Sequence, residues 1–370
     1  MQEPQEETGG EKAPPGEPEK NRWRMLSNPQ KWLIAGGGTA LLLCLFFVWL
    51  FLYAAARPHS AGEDPIVVFI PPGSGFSGVK KALVSSQVIS DDIRFSILSR
   101  WMRSAGRMKA GEYLFPPEST HRQIIEKLAK GDVYYRPLTV PEGSSINQIA
   151  DLLSRGFDYD RDLVLQRVRD PDLIKSFGLG VPSLEGYLFP DTYHITRGQS
   201  LDAVIAMMVQ RFKLVFSEIS KAGHSDGFTA QGMSRHELVI LASIVEKETA
   251  LAEERPLIAA VFFNRLKVKM KLQADPTVIY GINDFNGNLT KENLQTPSPY
   301  NTYTLPGLPV GPIANPGKES LSAVLHPADT ADLYFVANND GSGSHCFSRS
   351  LEEHNRAVQR FQQQRSSGGK

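Results

Sequence analysis

The 370-residue chain is poor in cysteine and has no excess of charge of either sign. Only Cys44 and Cys346 are present, too few for a disulfide-stabilised scaffold or for a zinc site built from cysteines. The 40 basic residues are balanced by 40 acidic ones, which argues against a general nucleic-acid-binding protein, since such a protein is basic overall or on one face. The eight histidines show no spacing typical of metal ligands, so we predict neither a metal ion nor another cofactor.

Three well-known site motifs are matched only in part or without the structural context that they need. The glycines of residues 73–78 match the dinucleotide-binding fingerprint, but no alternation of strands and helices follows to build the parallel sheet that such a site needs. His236-Glu237 begins like a zinc-protease helix, but Ile240 stands where the second histidine ligand is required. Residues 341–345 imitate a serine-hydrolase elbow but fall on a predicted turn. None of the three is therefore interpreted as a site.

One long apolar segment departs from this ordinary composition. The 25 residues from Trp32 to Ala56 carry no charge and are bracketed by Lys31 and Arg57. At about 1.5 Å per residue, a helix of this length crosses a hydrocarbon layer of roughly 30 Å. The apolar stretch and the leader before it are both too long for a cleaved signal peptide. We therefore expect an uncleaved, single-pass transmembrane helix over residues 32–56 that contacts the lipid bilayer.

Basic residues are distributed unequally around this segment. Three of them lie within residues 22–31, whereas Arg57 is the one nearby cation that follows. Because basic flanks are retained in the cytoplasm, we expect a cytoplasmic N-terminus and an extracytoplasmic location for the rest of the chain. Residues 1–31 are rich in Glu, Pro and Gly and predict a disordered cytoplasmic tail, and residues 363–370 predict a second disordered tail.

Two segments about 70 residues apart resemble each other, and each is typical of a strand, a Pro/Gly turn and a helix. They cover residues 66–87 and residues 135–155. In the second segment, Ser145 and Gln148 have the spacing of a capping box that starts a helix. Small, locally closed units of this kind suit binding or spacing, and we group residues 57–160 as one module.

Longer helical patterns follow this module. Apolar residues recur at helical spacing over residues 201–221, and a second helix is predicted over residues 234–250. Residues 296–317 form a long loop rich in proline and glycine, a type of loop that is usually functional in a compact domain. We predict an α+β protein with a mixed α/β domain over residues 161–362.

The end of the helix over residues 234–250 carries the acidic and basic run of residues 246–248. Placing residues every 100° puts Glu248 on the flank of the apolar face, between Leu241 and Ile244. A carboxyl group against apolar side chains has its charged form destabilised, so its pKa rises toward the value that a general acid needs near neutral pH. A solvated run of charge at the helix end is the alternative that this placement leaves open.

Seven segments then carry motifs in a fixed order. They are LEGYLFPDTY (184–193), LASIVEKETA (241–250), VFFNRL (261–266), LQADPTVIYG (272–281), SPYNTY (298–303), GLPVGPIANPG (307–317) and LYFVA (333–337). Together they closely resemble the YceG-like family, the endolytic murein transglycosylases of bacteria. The resemblance spans about residues 64–362, and its motifs are long enough to be specific.

This resemblance implies a lyase of cell wall biogenesis, anchored in the bacterial inner membrane with its catalytic domain in the periplasm. Such an enzyme cleaves the bond between MurNAc and GlcNAc in nascent peptidoglycan without consuming water, leaves 1,6-anhydroMurNAc ends and terminates glycan polymerisation. Its implied partners are peptidoglycan glycan strands, with peptidoglycan synthases as further candidates and no nucleic acid. Residues 57–160 are implied to be a LysM-like module, and residues 161–362 the catalytic transglycosylase domain.

The catalytic glutamate of the family maps by motif onto Glu248, near the end of its helix. Candidates for substrate contact follow that helix and supply amide, carboxylate and aromatic groups: Gln273, Asp275, Tyr280, Asn301, Tyr303 and Asn315. A lytic transglycosylase needs one carboxyl group, whereas a hydrolytic muramidase would need a second, for which Asp275 is the nearest candidate. A peptidoglycan-binding scaffold without catalytic activity is the other alternative.

Overall fold

The computed structural model describes residues 28–56, 64–221 and 232–367. Most of the predicted N-terminal tail, residues 1–27, lies outside the described residues, as do residues 368–370 of the predicted C-terminal tail. The preceding residues of that second tail continue the last helix to Ser367. Their glutamines and arginine favour helix, which explains why the helix extends past the predicted start of the tail at residue 363.

The chain divides into two compact units, Met1–Tyr134 and Tyr135–Lys370. The first unit contains α1 (Asn28–Ala55), β1 (Ile66–Ile70), α2 (Phe76–Ser85), α3 (Arg94–Trp101), β2 (Gly111–Phe115) and α4 (His121–Lys130). Strands β1 and β2 pair antiparallel, with Val68 opposite Tyr113. Helices α2, α3 and α4 bury their apolar faces in the same core as these strands.

Helix α1 is long and apolar enough to cross a membrane over Lys31–Ala55, which agrees with the span predicted for residues 32–56. Its apolar side chains are mostly exposed up to Trp49, as expected for a surface that faces lipid. Near its C-terminal end, Leu50, Tyr53 and Ala54 are instead buried in the core of the first unit. The C-terminal end of α1 therefore packs against the strands and helices of the first unit.

The second unit has more helix than strand. It contains β3 (Arg136–Thr139), α5 (Ile146–Phe157), α6 (Arg161–Arg167), α7 (Pro171–Ser176), β4 (Thr192–Ile195), α8 (Leu201–Lys221), α9 (Arg235–Glu248), α10 (Arg255–Lys267), α11 (Asp275–Tyr280), α12 (Lys291–Gln295), α13 (Lys318–Leu325), β5 (Tyr334–Ala337), β6 (His345–Ser348) and α14 (Leu351–Ser367). Short antiparallel pairs and longer helices in one chain confirm the predicted α+β class.

The second strand–turn–helix segment packs with the second unit. Strand β3 pairs antiparallel with β4, so that Leu138 lies opposite Tyr193. The buried face of α5, including Ile149 and Leu153, joins the core of the second unit. The packing boundary thus falls after residue 134, within the module proposed over residues 57–160, because the hydrogen bonds of β3 are satisfied by a strand about 55 residues further on. That module stays a prediction.

Helix α9 is the centre of the second unit, since α10 and α13 pack against it. Its start follows the local sequence: the Ser234 hydroxyl accepts from the Glu237 backbone N–H at 3.3 Å, and the Glu237 carboxylate accepts from the Ser234 N–H at 2.7 Å. Eight consecutive residues, 238–245, are buried. The helix ends at Glu248 because Thr249 is extended, with φ −142° and ψ 142°. Glu248 therefore occupies the last helical position.

Candidate active site

A cavity of about 350 Å³ lies at the C-terminal end of α9. It is lined by the last three residues of α9, by the two residues that follow and by the first residue of α10: Glu246, Lys247, Glu248, Thr249, Ala250 and Arg255. The buried residues 238–245 fix the last turn of α9 by packing. The extended backbone at Thr249 turns the chain away from the helix after Glu248. The carboxyl group of Glu248 is thus fixed by packing at the wall of an accessible cavity.

Burial raises the pKa of the Glu248 carboxyl to about 7. The negative charge of Asp275 acts in the same direction, and the positive charge of Arg265 opposes it. Within residues 28–56, 64–221 and 232–367, no protein group donates a hydrogen bond to this carboxyl. Near neutral pH, Glu248 can therefore give up a proton and take one back, with its oxygens free for a bound molecule.

Asp275 and Tyr303 lie in the electrostatic neighbourhood of Glu248. The Tyr303 hydroxyl donates to Asp275 Oδ1 at 2.5 Å. Burial raises the pKa of the Tyr303 phenol, and its hydrogen bond to Asp275 and the charge of Glu248 act in the same direction. Asp275 itself is exposed at the start of α11. The structure thus brings together three of the residues proposed from the sequence.

Arg265 is a member of this site that the sequence reasoning did not single out. Its guanidinium donates from Nε to the Leu333 carbonyl at 2.6 Å and from Nη1 to the Leu272 carbonyl at 2.7 Å. Burial lowers the pKa of Arg265, although the group remains a cation. An arginine within the mainly apolar motif of residues 261–266 was the available signal, because a buried cation needs fixed partners.

The first acid of the run, Glu246, is engaged by the protein. Its side chain is 6% exposed. One oxygen, Oε2, accepts from the Gly317 backbone N–H at 2.9 Å, and the other, Oε1, lies 3.4 Å from Arg255 Nη2. Glu246 therefore ties α9 to the loop before α13, whereas Glu248 remains available in the cavity. This difference agrees with the helical placement that favoured Glu248.

A second group of polar residues surrounds Glu185, which is 1% exposed. Its carboxyl accepts from the Tyr280 hydroxyl at 2.7 Å, from Asn315 Nδ2 at 3.1 Å and from the Ile146 backbone N–H at 3.1 Å. Burial raises the pKa of Glu185 to about 7. Glu185 was not selected from the sequence, although an acid within the apolar motif of residues 184–193 was a usable signal.

The remaining candidates for substrate contact are placed differently. Asn301 is fully buried, and its Nδ2 donates to the carbonyls of residues 293, 294 and 296 at 2.7–3.3 Å. Asn315 is fully buried as well and also accepts from the Leu188 N–H at 2.8 Å. Gln273 is exposed, with φ of 48°. Substrate contact by these residues and by Tyr280 stays a prediction.

The segment after Glu248 is held by a short hydrogen-bonded chain. The Thr249 hydroxyl lies 3.4 Å from Glu254 Oε2 and accepts from the Leu251 N–H at 3.0 Å. Glu254 in turn accepts from the backbone N–H of His345 at 2.6 Å and lies 2.7 Å from its Nδ1. These bonds fix the extended segment to the start of β6. In the part of the chain that the structure describes, no group of three His, Cys, Asp or Glu side chains could hold a metal ion.

Comparison with known proteins identifies relatives of this chain. The YceG-like family matches residues 68–360. A Bacillus subtilis protein named endolytic murein transglycosylase is 32% identical over 334 residues, covering 84% of this chain and 89% of that protein. A protein of the same name from Streptococcus pneumoniae R6 is 27% identical, covering 88% of this chain and 62% of its own length. A crystal structure of a YceG-like protein from Listeria monocytogenes is 34% identical, with a TM-score of 0.54, and covers 80% of this chain and 99% of the other.

Proposed function

Because the chain belongs to the YceG-like family, we propose that it is an endolytic murein transglycosylase that uses Glu248 as its acid and base. Relatives named for this activity support the general function. The observation that carries the role of Glu248 is its carboxyl group, which has a pKa near 7, lines a cavity and receives no hydrogen bond from the described protein. The catalytic domain proposed over residues 161–362 contains all the residues that line this cavity.

The reaction needs one carboxyl group in two protonation states. Protonated Glu248 donates its proton to the oxygen of the glycosidic bond between MurNAc and GlcNAc as that bond breaks. The resulting carboxylate then removes the proton from the 6-hydroxyl of the same MurNAc, whose oxygen attacks its own anomeric carbon. The products are a 1,6-anhydroMurNAc end and a free GlcNAc end, Glu248 is protonated again, and no water is consumed. A pKa near 7 makes both transfers accessible at neutral pH.

Hydrolysis is the second candidate function, favoured by one observation. The charge of Asp275 influences Glu248, so a second carboxylate lies within its electrostatic reach. In a muramidase, Asp275 would act as base or nucleophile opposite Glu248. In the lytic reaction, Asp275 would instead serve only as a negative charge that raises the pKa of Glu248. The hydrogen bond that Asp275 accepts from Tyr303 supports this role.

The location of the enzyme is part of the proposal. Helix α1 would anchor the chain in the bacterial cell membrane in a single pass, with the N-terminus in the cytoplasm and the second unit outside. The anchor keeps the active site near the membrane, where new glycan strands emerge, so cleavage would terminate their polymerisation. A LysM-like module within residues 57–160 would bind the glycan, and peptidoglycan synthases are candidate partners.

Mass spectrometry of digested glycan tests the reaction class. The full-length protein in detergent is incubated with purified glycan strands, and the new ends are weighed before and after borohydride reduction. We expect 1,6-anhydroMurNAc ends, which borohydride does not reduce. Ends that are heavier by one water and reducible would establish the muramidase. Absence of any cleavage, with strands retained by the protein, would favour the scaffold.

A further inference from the structure

A second cavity of about 350 Å³ lies beside the first. It is lined by the turn of residues 141–144, by one face of α5 and by Lys247. Lys247 also lines the cavity of Glu248 and is therefore common to both. Its ammonium group lies 3.4 Å from the Gly143 carbonyl, which fixes it against the turn. The two cavities thus meet at the residue that precedes Glu248.

The two carboxylates of the second cavity are each matched by an arginine. Glu142 Oε2 lies 3.8 Å from Arg255 Nη2, and Asp151 Oδ1 accepts from Arg161 Nε at 2.6 Å. Burial and the charge of Glu246 raise the pKa of Glu142. Arg161 compensates Asp151, whereas Arg255 is shared by Glu142 and Glu246, which leaves about one acidic charge to set against the cations of the cavity.

The cations of the cavity have no such partners. Arg155 and Lys247 are both exposed. Across the described ranges, neither side chain lies within ion-pair distance of a carboxylate. The cavity consequently has an excess of positive charge, suited to an anionic ligand. Arginine in particular binds carboxylates through two parallel hydrogen bonds.

We propose that the second cavity is a subsite for the peptide stem of peptidoglycan, in which Arg155 and Lys247 bind carboxylates of that stem. The inference rests on the proposed function, because the stem is joined to the lactyl group of MurNAc, the sugar whose anomeric carbon reacts at Glu248. A MurNAc unit in the first cavity would direct its stem along Lys247 into the second. The enzyme would then distinguish strands that carry peptides from strands that have lost them.

Paired substrates test this subsite. Full-length protein is assayed on glycan strands with intact stems and on the same strands after an amidase has removed the stems. On intact strands we expect Arg155→Ala and Lys247→Ala each to raise KM about tenfold, as for loss of one charged hydrogen bond. On stem-free strands Arg155→Ala should leave KM unchanged. Lys267→Ala is the matched control for Lys247→Ala, because Lys267 is an exposed lysine at the end of α10 that does not line the second cavity.

Two results would overturn the subsite. In the first, Arg155→Ala raises KM equally on intact and on stem-free strands. In the second, it raises KM on neither. Calorimetry with a disaccharide that carries a peptide stem is run in parallel on the wild type and on Arg155→Ala. If the wild type cleaves neither substrate, the proposed function fails, and the calorimetry still decides the subsite. Weaker binding by the variant supports the subsite, and equal binding rejects it.

Discussion

Glu185 and Glu248 are two carboxyl groups of the second unit that share a pKa of about 7 but differ in their surroundings. Burial is the main cause of the raised pKa in both. The oxygens of Glu185 are occupied by donors from three other segments, whereas Glu248 faces a cavity and has no donor among the described residues. A raised pKa therefore indicates burial, and only an open face makes the proton available for transfer.

The two surroundings imply different roles. Glu185 connects the start of α5, the end of α11 and the loop of residues 307–317, so it acts as a clamp among elements around the site. Glu248, the last residue of α9, links no other segment among the described residues, and its half-buried side chain lines the cavity. We expect loss of Glu185 to cost stability and loss of Glu248 to cost chemistry. Three substitutions test this difference.

Glu248→Gln has the largest expected effect. Glutamine preserves size and polarity but cannot donate and recover a proton, so cleavage should fall by a factor of about 10²–10⁴ or below detection. Release of anhydro-ended fragments, followed by mass spectrometry, measures the loss. Glu246→Gln is the matched control in the same helix, and it should retain most of the activity. Full activity of Glu248→Gln together with loss in Glu246→Gln would identify Glu246 as the acid.

Glu185→Leu should mainly reduce stability. The substitution leaves the Tyr280 hydroxyl and the Ile146 N–H without their acceptor, at about 1–3 kcal/mol for each buried donor, and Asn315 Nδ2 keeps only its bond to the Ser144 carbonyl. We expect the free energy of unfolding of the full-length protein in detergent to fall by several kcal/mol, measured by denaturant titration. Glu248→Gln should remain within about 1 kcal/mol of the wild type or exceed it, because it removes a poorly solvated charge. Equal losses in the two variants would contradict the comparison.

Asp275→Asn should have the smallest effect, a shift in pH dependence. The first transfer requires protonated Glu248, so kcat/KM of the wild type should fall as the pH rises above about 7. Removing the negative charge of Asp275 lowers the pKa of Glu248, and the fall should move to lower pH. Because Asp275 is exposed, the expected displacement is only a fraction of a pH unit. A complete loss of activity would instead assign Asp275 the second carboxylate role of a muramidase.

Features that depend on neighbouring residues could be predicted from the sequence. The capping box of Ser234 and Glu237 starts α9, and the uncharged stretch from Trp32 gives the apolar helix α1. The helical placement of Glu248 on the apolar flank gave the direction of its pKa shift. These successes share one cause, namely that helical period and capping act over only a few residues.

Features that depend on distant partners could not be predicted in this way. Because β3 pairs with β4, residues 135–155 belong to the second unit, although their sequence resembles a segment of the first unit. Asn301 and Asn315 offered the polar groups expected of substrate contacts, but their amides bond within the protein. A side chain's type shows which bonds it can make, and only its neighbours decide which bonds are already made.

The apolar helix, the α+β class, the family and an acid at the end of α9 all follow from the order of the amino acids. Which acid is free depends on the packed fold: Gly317 and Arg255 bind Glu246, three donors bind Glu185, and Glu248 lines a cavity. The physical reason is that the state of a carboxyl group depends on burial and on donors brought together from distant segments. Spacing along the chain does not specify those donors, because they meet only when the core of the second unit has packed.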